Sequence, residues 1–154
     1  MAVSGMARHG QVLSCSVTGL AVVLVTLAVA TLVGVAVRRR DGVPREVGGD
    51  VELLTSDDLD ASLGERATLV QFSSAFCQPC RATRRILSEV TEMVPGVAHV
   101  EIDAESRLDL VRSLNIMRTP TVLILDASGR VVKRASGQPR KADVIGALGL
   151  AVDG

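Results

Sequence analysis

Thr68-Leu-Val-Gln-Phe-Ser-Ser-Ala-Phe-Cys-Gln-Pro-Cys-Arg81 is the stretch on which the reading of this chain turns. Thr68 to Ser73 reads as a buried strand. Pro79 to Val94 reads as an amphipathic helix, with Ile86, Leu87, Val90 and Val94 on one stripe. Between them lie two cysteines three positions apart. Thiols at that spacing on a helix's first turn can close a small disulfide ring without unfolding the chain. The leading thiol, Cys77, faces the unpaired N–H groups and positive end of the helix. Such cysteines reach pKa values of ~3.5–7.5. A thiolate attacks a substrate disulfide and a second thiol resolves the mixed disulfide, so attack is assigned to Cys77 and resolution to Cys80. Pro79 suits an early helical position, where no N–H is needed. The rival reading is half of a zinc site. A structural zinc needs four ligands, and beyond Cys15 the remaining candidates are His9 and His99.

The bulk composition narrows the function further. Apolar residues make up 47 % of the 154 residues, enough for an aliphatic core, while aromatics amount to two Phe with no Trp or Tyr. Stacking surfaces for single-stranded nucleic acid need aromatics. Lys+Arg and Asp+Glu both total 17, so no overall field draws the chain to nucleic acid. Three cysteines do not build a disulfide framework.

Val17 to Val37 carries no charge, and about 20 apolar residues cross a bilayer as a helix. Thr18, Thr26 and Thr31 can return their hydroxyls to the helix backbone. A secretory signal has an apolar region of ~7–15 residues with charge in front. Here the run is longer and the charge lies behind, so an uncleaved single-pass anchor is expected. Arg38, Arg39, Arg40 and Arg45 follow the span and Arg8 precedes it; the positive-inside bias then puts the C-terminal part on the cytoplasmic side. Cys15 reads as a bystander thiol.

The expected organisation is therefore a tail over 1–16, a transmembrane helix over 17–37, a basic flexible linker over 38–50 and a folded domain over 51–150. Within the domain, Thr55 or Ser56 caps a short helix to Leu63, and Val97 to Ile102 is a strand. Ser106 to Leu114 is a helix, Thr121 to Leu125 a strand ended by the Asp126–Gly129 turn, Val131 to Ala135 an antiparallel return, and Lys141 to Leu148 a closing helix. Strands interleaved with helices, then a hairpin and a helix, imply an α/β domain with a central mixed sheet covered on both faces.

Three motifs in order carry a family likeness. The stretch Thr68–Arg81 resembles the active-site strand and helix of thioredoxins. Val97-Ala-His-Val-Glu-Ile-Asp103 resembles their third strand, and Arg118-Thr-Pro-Thr-Val-Leu-Ile-Leu125 their cis-proline strand, with Gly129 and Gly137 where the hairpin expects glycines. The likeness covers roughly residues 51–150. It implies a thioredoxin-like three-layer fold on a four- or five-stranded mixed sheet, a cis Thr119–Pro120 bond, and a docking surface made by Thr119, Pro120, Phe76 and Gly137. Taken alone, Pro120 merely begins a strand.

The chain departs from the family where Phe76 replaces the usual Trp and Gln78 the usual Gly. Gln71 stands where many thioredoxins bury an Asp beneath the second cysteine, and His99 where they place the partnering Lys. By strand alternation His99, Glu101 and Asp103 share a face. His99, with Gln71 as its hydrogen-bond partner or through a water, becomes a candidate relay for the Cys80 proton; the alternative is a partly buried histidine satisfied by neighbours. Arg81 is placed to help hold the thiolate, Arg84 and Arg85 to form a solvated face, and Glu89 to pair with Arg85.

The reading favoured is a membrane-anchored thiol–disulfide oxidoreductase, acting on protein disulfides through a Cys77–Cys80 redox disulfide. It calls for an electron donor or acceptor that the sequence does not identify, and for no metal, cofactor or nucleic acid. The alternatives are a non-catalytic thioredoxin-fold binding module at the membrane and a zinc-binding membrane protein.

Overall fold

The computed structural model describes residues 8–40, 42–46 and 53–152. Residues Met1–Arg40 and Asp41–Gly154 form two compact units.

In the first unit, helix α1 runs from Arg8 to Arg40. Its segment Gly19–Val37 is long and apolar enough to cross a membrane, a property shared with an N-terminal signal sequence. The large Leu and Val side chains from Leu20 to Val37 stand exposed, so the helix presents apolar surface all round, as a membrane segment does. Two of the expected threonine back-bonds form, Thr26 to the Val22 carbonyl at 2.8 Å and Thr31 to that of Leu27 at 2.7 Å. The side chains of Thr18, Cys15 and His9 lie outside the described residues.

The second unit contains β1 (Arg45–Glu46), α2 (Ser56–Leu59), β2 (Ala67–Ser73), α3 (Gln78–Met93), β3 (Val97–Asp103), α4 (Leu108–Ser113), β4 (Thr121–Asp126), β5 (Val131–Ser136) and α5 (Lys141–Val152). The sheet order is β1-β5-β4-β2-β3. Strands β2 and β3 are parallel, and every other pairing is antiparallel. Part of the expected linker is thus not a free tether: Arg45 and Glu46 pair with Arg134 and Lys133, supplying partners to a β5 edge that would otherwise be open. Asp41 and residues 47–52 lie outside the described residues.

β2 is buried at every position, as expected of a central strand covered on both faces. Its alternate residues feed two cores. Ala67 and Leu69 join Leu87 and Val90 of α3 and Val144, Ala147 and Leu148 of α5. Val70 and Phe72 join Leu59, Ile102, Leu114, Leu123 and Leu125 on the other face.

Several element ends differ from expectation for local reasons. Thr55 caps α2 through a reciprocal pair with Asp58, but the helix stops at Leu59, before Leu63, because Asp60 turns left-handed at φ 52°. α4 begins two residues late because Ser106 bonds back to the Asp103 carbonyl. α5 continues past Leu148 to bury Ala151. Gly129 in the β4–β5 turn has φ +86°, and a Cβ there would lie 2.1 Å from the Leu54 carbonyl oxygen, so the position demands glycine.

Candidate active site

The first turn of α3 is built around sulfur. Cys77 is its N-cap residue, in extended conformation, with a proline among the first helical positions. The Cys77 Sγ accepts the Cys80 N–H at 3.1 Å, taking the place of the hydroxyl or carboxylate that usually satisfies an orphan donor there. Cys77 and Cys80 are joined as a disulfide, with Cα atoms 5.2 Å apart. Cys77 is half-buried, whereas Cys80 is 2 % exposed. An attacking sulfur must be reached from outside and a resolving sulfur need not be; the difference in access fits that division. Arg81 is exposed, and among the described residues no side chain pairs with it.

The loop before β4 comes to the same place. The Thr119–Pro120 bond is cis. Thr119 Oγ1 lies 3.0 Å from Ser74 Oγ, three residues ahead of Cys77, and the Gly137 N–H donates to the Pro120 carbonyl at 2.7 Å. Phe76 is 98 % exposed and Met117 84 % exposed. The structure therefore gathers Thr119, Pro120 and Gly137 around one backbone junction and ties it to the loop that carries Phe76.

Beneath Cys80 the arrangement corrects the expected Gln71–His99 pair. Gln71 is fully buried, and its Nε2 donates to the Cys80 carbonyl at 3.1 Å and lies 3.5 Å from Glu101 Oε1. The β2–β3 register sets Gln71 opposite Glu101 and His99 opposite Leu69, so the residue facing Gln71 across the strands is Glu101. Gln71 Oε1 and His99 Nε2 are both buried without a partner among the described residues. Arg84 is likewise not merely solvated: its Nη2 binds Glu101 Oε1 at 2.6 Å, and Ser73 Oγ donates to the same oxygen at 2.6 Å. Glu89 pairs with Lys141 at 2.9 Å instead of with Arg85. Glu101, Ser73, Arg84 and Ser74 are the site residues that sequence reasoning missed. Alternation already put Glu101 on the correct face, but its partners depend on register.

Among the described residues no group of three or more His, Cys, Asp or Glu comes together as metal ligands would, and the two α3 sulfurs are bonded to each other.

The thioredoxin family model matches residues 50–148. This chain belongs to the thioredoxin family. Human thioredoxin domain-containing protein 2 is 36 % identical over 72 residues, a match that covers 45 % of this chain and 13 % of that protein. The thioredoxin of Mycobacterium tuberculosis is 29 % identical over 87 residues, covering 56 % of this chain and 74 % of the relative. The chain thus spans a small part of the human relative's length. In structure it is similar to chloroplastic thioredoxin z, with a TM-score of 0.55 and 25 % identity over 70 % of this chain and 99 % of that one. A thioredoxin domain with two cysteines at bonding distance supports a thiol–disulfide oxidoreductase, in a family that acts on protein disulfides.

The departure of this thioredoxin beneath Cys80 has consequences for its titration. Burial pushes the His99 pKa below its ordinary value; Glu101 opposes that shift and Arg84 adds to it. Burial alone would raise Glu101, but the hydrogen bonds from Arg84 and Ser73, with the charges of Arg84 and His99, hold its carboxyl below the usual range. Both groups have a lower pKa folded than unfolded. The unfolded chain therefore binds more protons as the pH falls, and stability present above the unfolded values of 6.5 and 4.5 is lost on acidification through the folded ones. The unfolding free energy from urea titration should fall between pH 7 and pH 4, by at most about 1.4 kcal/mol per pH unit for each group. Removing the titrating imidazole in His99→Gln should shrink that fall; an equal pH dependence in the variant would show that His99 takes no part.

Proposed function

We propose that this chain is a membrane-anchored thiol–disulfide oxidoreductase that reduces protein disulfides with the Cys77/Cys80 dithiol. The observation that carries the reading is the Cys77 sulfur seated as N-cap of α3, accepting the Cys80 N–H. That donor and the positive helix end favour the thiolate. The Cys77 thiolate attacks one sulfur of a substrate disulfide, forming a mixed disulfide and releasing the other sulfur as a thiolate, which takes a proton. Cys80 loses its proton and attacks Cys77 Sγ, which frees the second substrate thiolate and closes the Cys77–Cys80 disulfide. Two electrons have then passed to the substrate, and a dithiol donor must return them for another cycle.

Thr119 is the backbone station for the substrate chain. Its N–H and C=O have no partner among the described residues, while the neighbouring carbonyls are taken: that of Arg118 by Thr121 Oγ1 at 2.8 Å and that of Pro120 by Gly137. Exposed Phe76 supplies apolar contact beside it. The test is reduction of insulin by the full chain in detergent with dithiothreitol as donor. A rate no greater than that of dithiothreitol alone would defeat the reading.

The anchor is α1. Its apolar stretch, Gly19–Val37, is longer than the ~7–15 residues of a signal peptide's apolar region, and three arginines close it at positions 38–40. That charge favours the cytoplasmic side for the domain, where reducing surroundings favour the dithiol. A C-terminal green fluorescent protein fusion expressed in a bacterium should fluoresce in the membrane fraction, and an alkaline phosphatase fusion should be inactive. The opposite pair of results would place the domain outside, in oxidising surroundings.

A further inference from the structure

We propose that Ser74 is a positioning residue that sets the substrate-docking loop at a fixed distance from the attacking sulfur; the inference rests on the oxidoreductase reading above. Ser74 follows the last residue of β2 and is fastened to the cysteine turn, since its carbonyl accepts the Cys77 N–H at 3.2 Å. Its hydroxyl reaches across 45 positions of sequence to Thr119 Oγ1, 3.0 Å away. Both residues are half-buried, and each hydroxyl can donate or accept.

The flanks of Thr119 are secured elsewhere. Arg118 Nη2 donates to the Ser136 carbonyl at 2.9 Å, the Arg118 carbonyl is held by Thr121, and the Pro120 carbonyl by Gly137. Those bonds tie the loop to itself and to the end of β5. The Ser74 hydroxyl ties it to the segment that carries the cysteine pair. Threonine is stiff at χ1, so a bond to its hydroxyl fixes the residue as a whole, including the N–H and C=O left open for a substrate chain. Position matters at this point because a substrate peptide docks through that N–H and C=O, and a loop already held in place binds it without first having to be ordered.

A small disulfide that has no peptide to dock should be indifferent to the bond. Ser74→Ala should therefore raise the KM for insulin about three- to tenfold, the range expected for loss of one neutral hydrogen bond, with kcat close to wild type. Reduction of 5,5′-dithiobis(2-nitrobenzoate) by the same full-length protein in detergent should be unchanged. Ser74→Thr keeps the hydroxyl and should restore the insulin KM. Ser74→Ala combined with Thr119→Val should raise that KM no further than either single change, because the two act through one bond. An unchanged insulin KM in Ser74→Ala, or equal slowing on both substrates, would overturn the proposal. Wild-type protein inactive on both substrates would instead defeat the oxidoreductase reading itself.

Discussion

Cys77→Ser should abolish insulin reduction, lowering turnover on the order of a thousandfold or more. A serine hydroxyl in the same seat would accept the same N–H, at a site where Cys77 Sγ now lies 3.1 Å from the Cys80 nitrogen. It would not ionise near neutral pH, so the cap would survive and the nucleophile would not. Folding should accordingly be retained, which separates loss of chemistry from loss of structure. Cys80→Ser should behave differently. The attack at Cys77 still proceeds, but nothing resolves the mixed disulfide, and a covalent adduct with an insulin chain should accumulate on non-reducing gels and vanish with reductant. Access supports that order of events, since Cys80 is buried and Cys77 is not. A module that only binds would give no adduct with either variant, and insulin turnover would be indifferent to Cys77.

The second large effect concerns stability. The chain has two phenylalanines and no other aromatic residue, and they stand in opposite settings: Phe72 is 0 % exposed and Phe76 is 98 % exposed. Phe72 lies on β2 between Ile102 of β3 and Thr121 of β4 in register, and packs into the core with Leu114, Ile116 and Leu123. Phe72→Ala should cost about 3–5 kcal/mol, a large share of the ~5–15 kcal/mol that holds a domain folded. Ile102 and Leu123 sit on strands fixed by the sheet on either side of β2, so they have little freedom to collapse into the gap. Phe76→Ala, by contrast, should change the unfolding free energy by no more than about 0.5 kcal/mol. Equal effects from the two substitutions would mean that the assignment of β2 to the centre of the sheet is wrong.

Much of this molecule was legible locally. The strand–cysteine–helix order around Cys77 needs only periodicity and spacing, and the structure places β2 and α3 within a residue of expectation. Capping of α2 by Thr55 and the glycine at 129 follow from local backbone chemistry. The cis bond before Pro120 is not readable from spacing; the family likeness implies it, and the structure has it. Helix position alone makes Arg84 a solvated residue, because it does not reveal that Glu101 on β3 lies within reach. The Gln71–His99 pair is implied by the family likeness, which sets them where many thioredoxins place a buried Asp and its Lys; the register instead puts Gln71 opposite Glu101.

Thus periodicity, charge and a two-cysteine motif were enough for the α/β class, the order of elements, the apolar N-terminal helix and the sulfurs that matter, because each depends on neighbours a few positions away. Strand register, the Gln71–Glu101 proximity, the Arg84 ion pair and the Ser74–Thr119 contact were decided by tertiary structure. They join residues between 17 and 45 positions apart, and which of two facing side chains meet depends on how strands slide and helices settle against them, a cooperative outcome of packing the whole core.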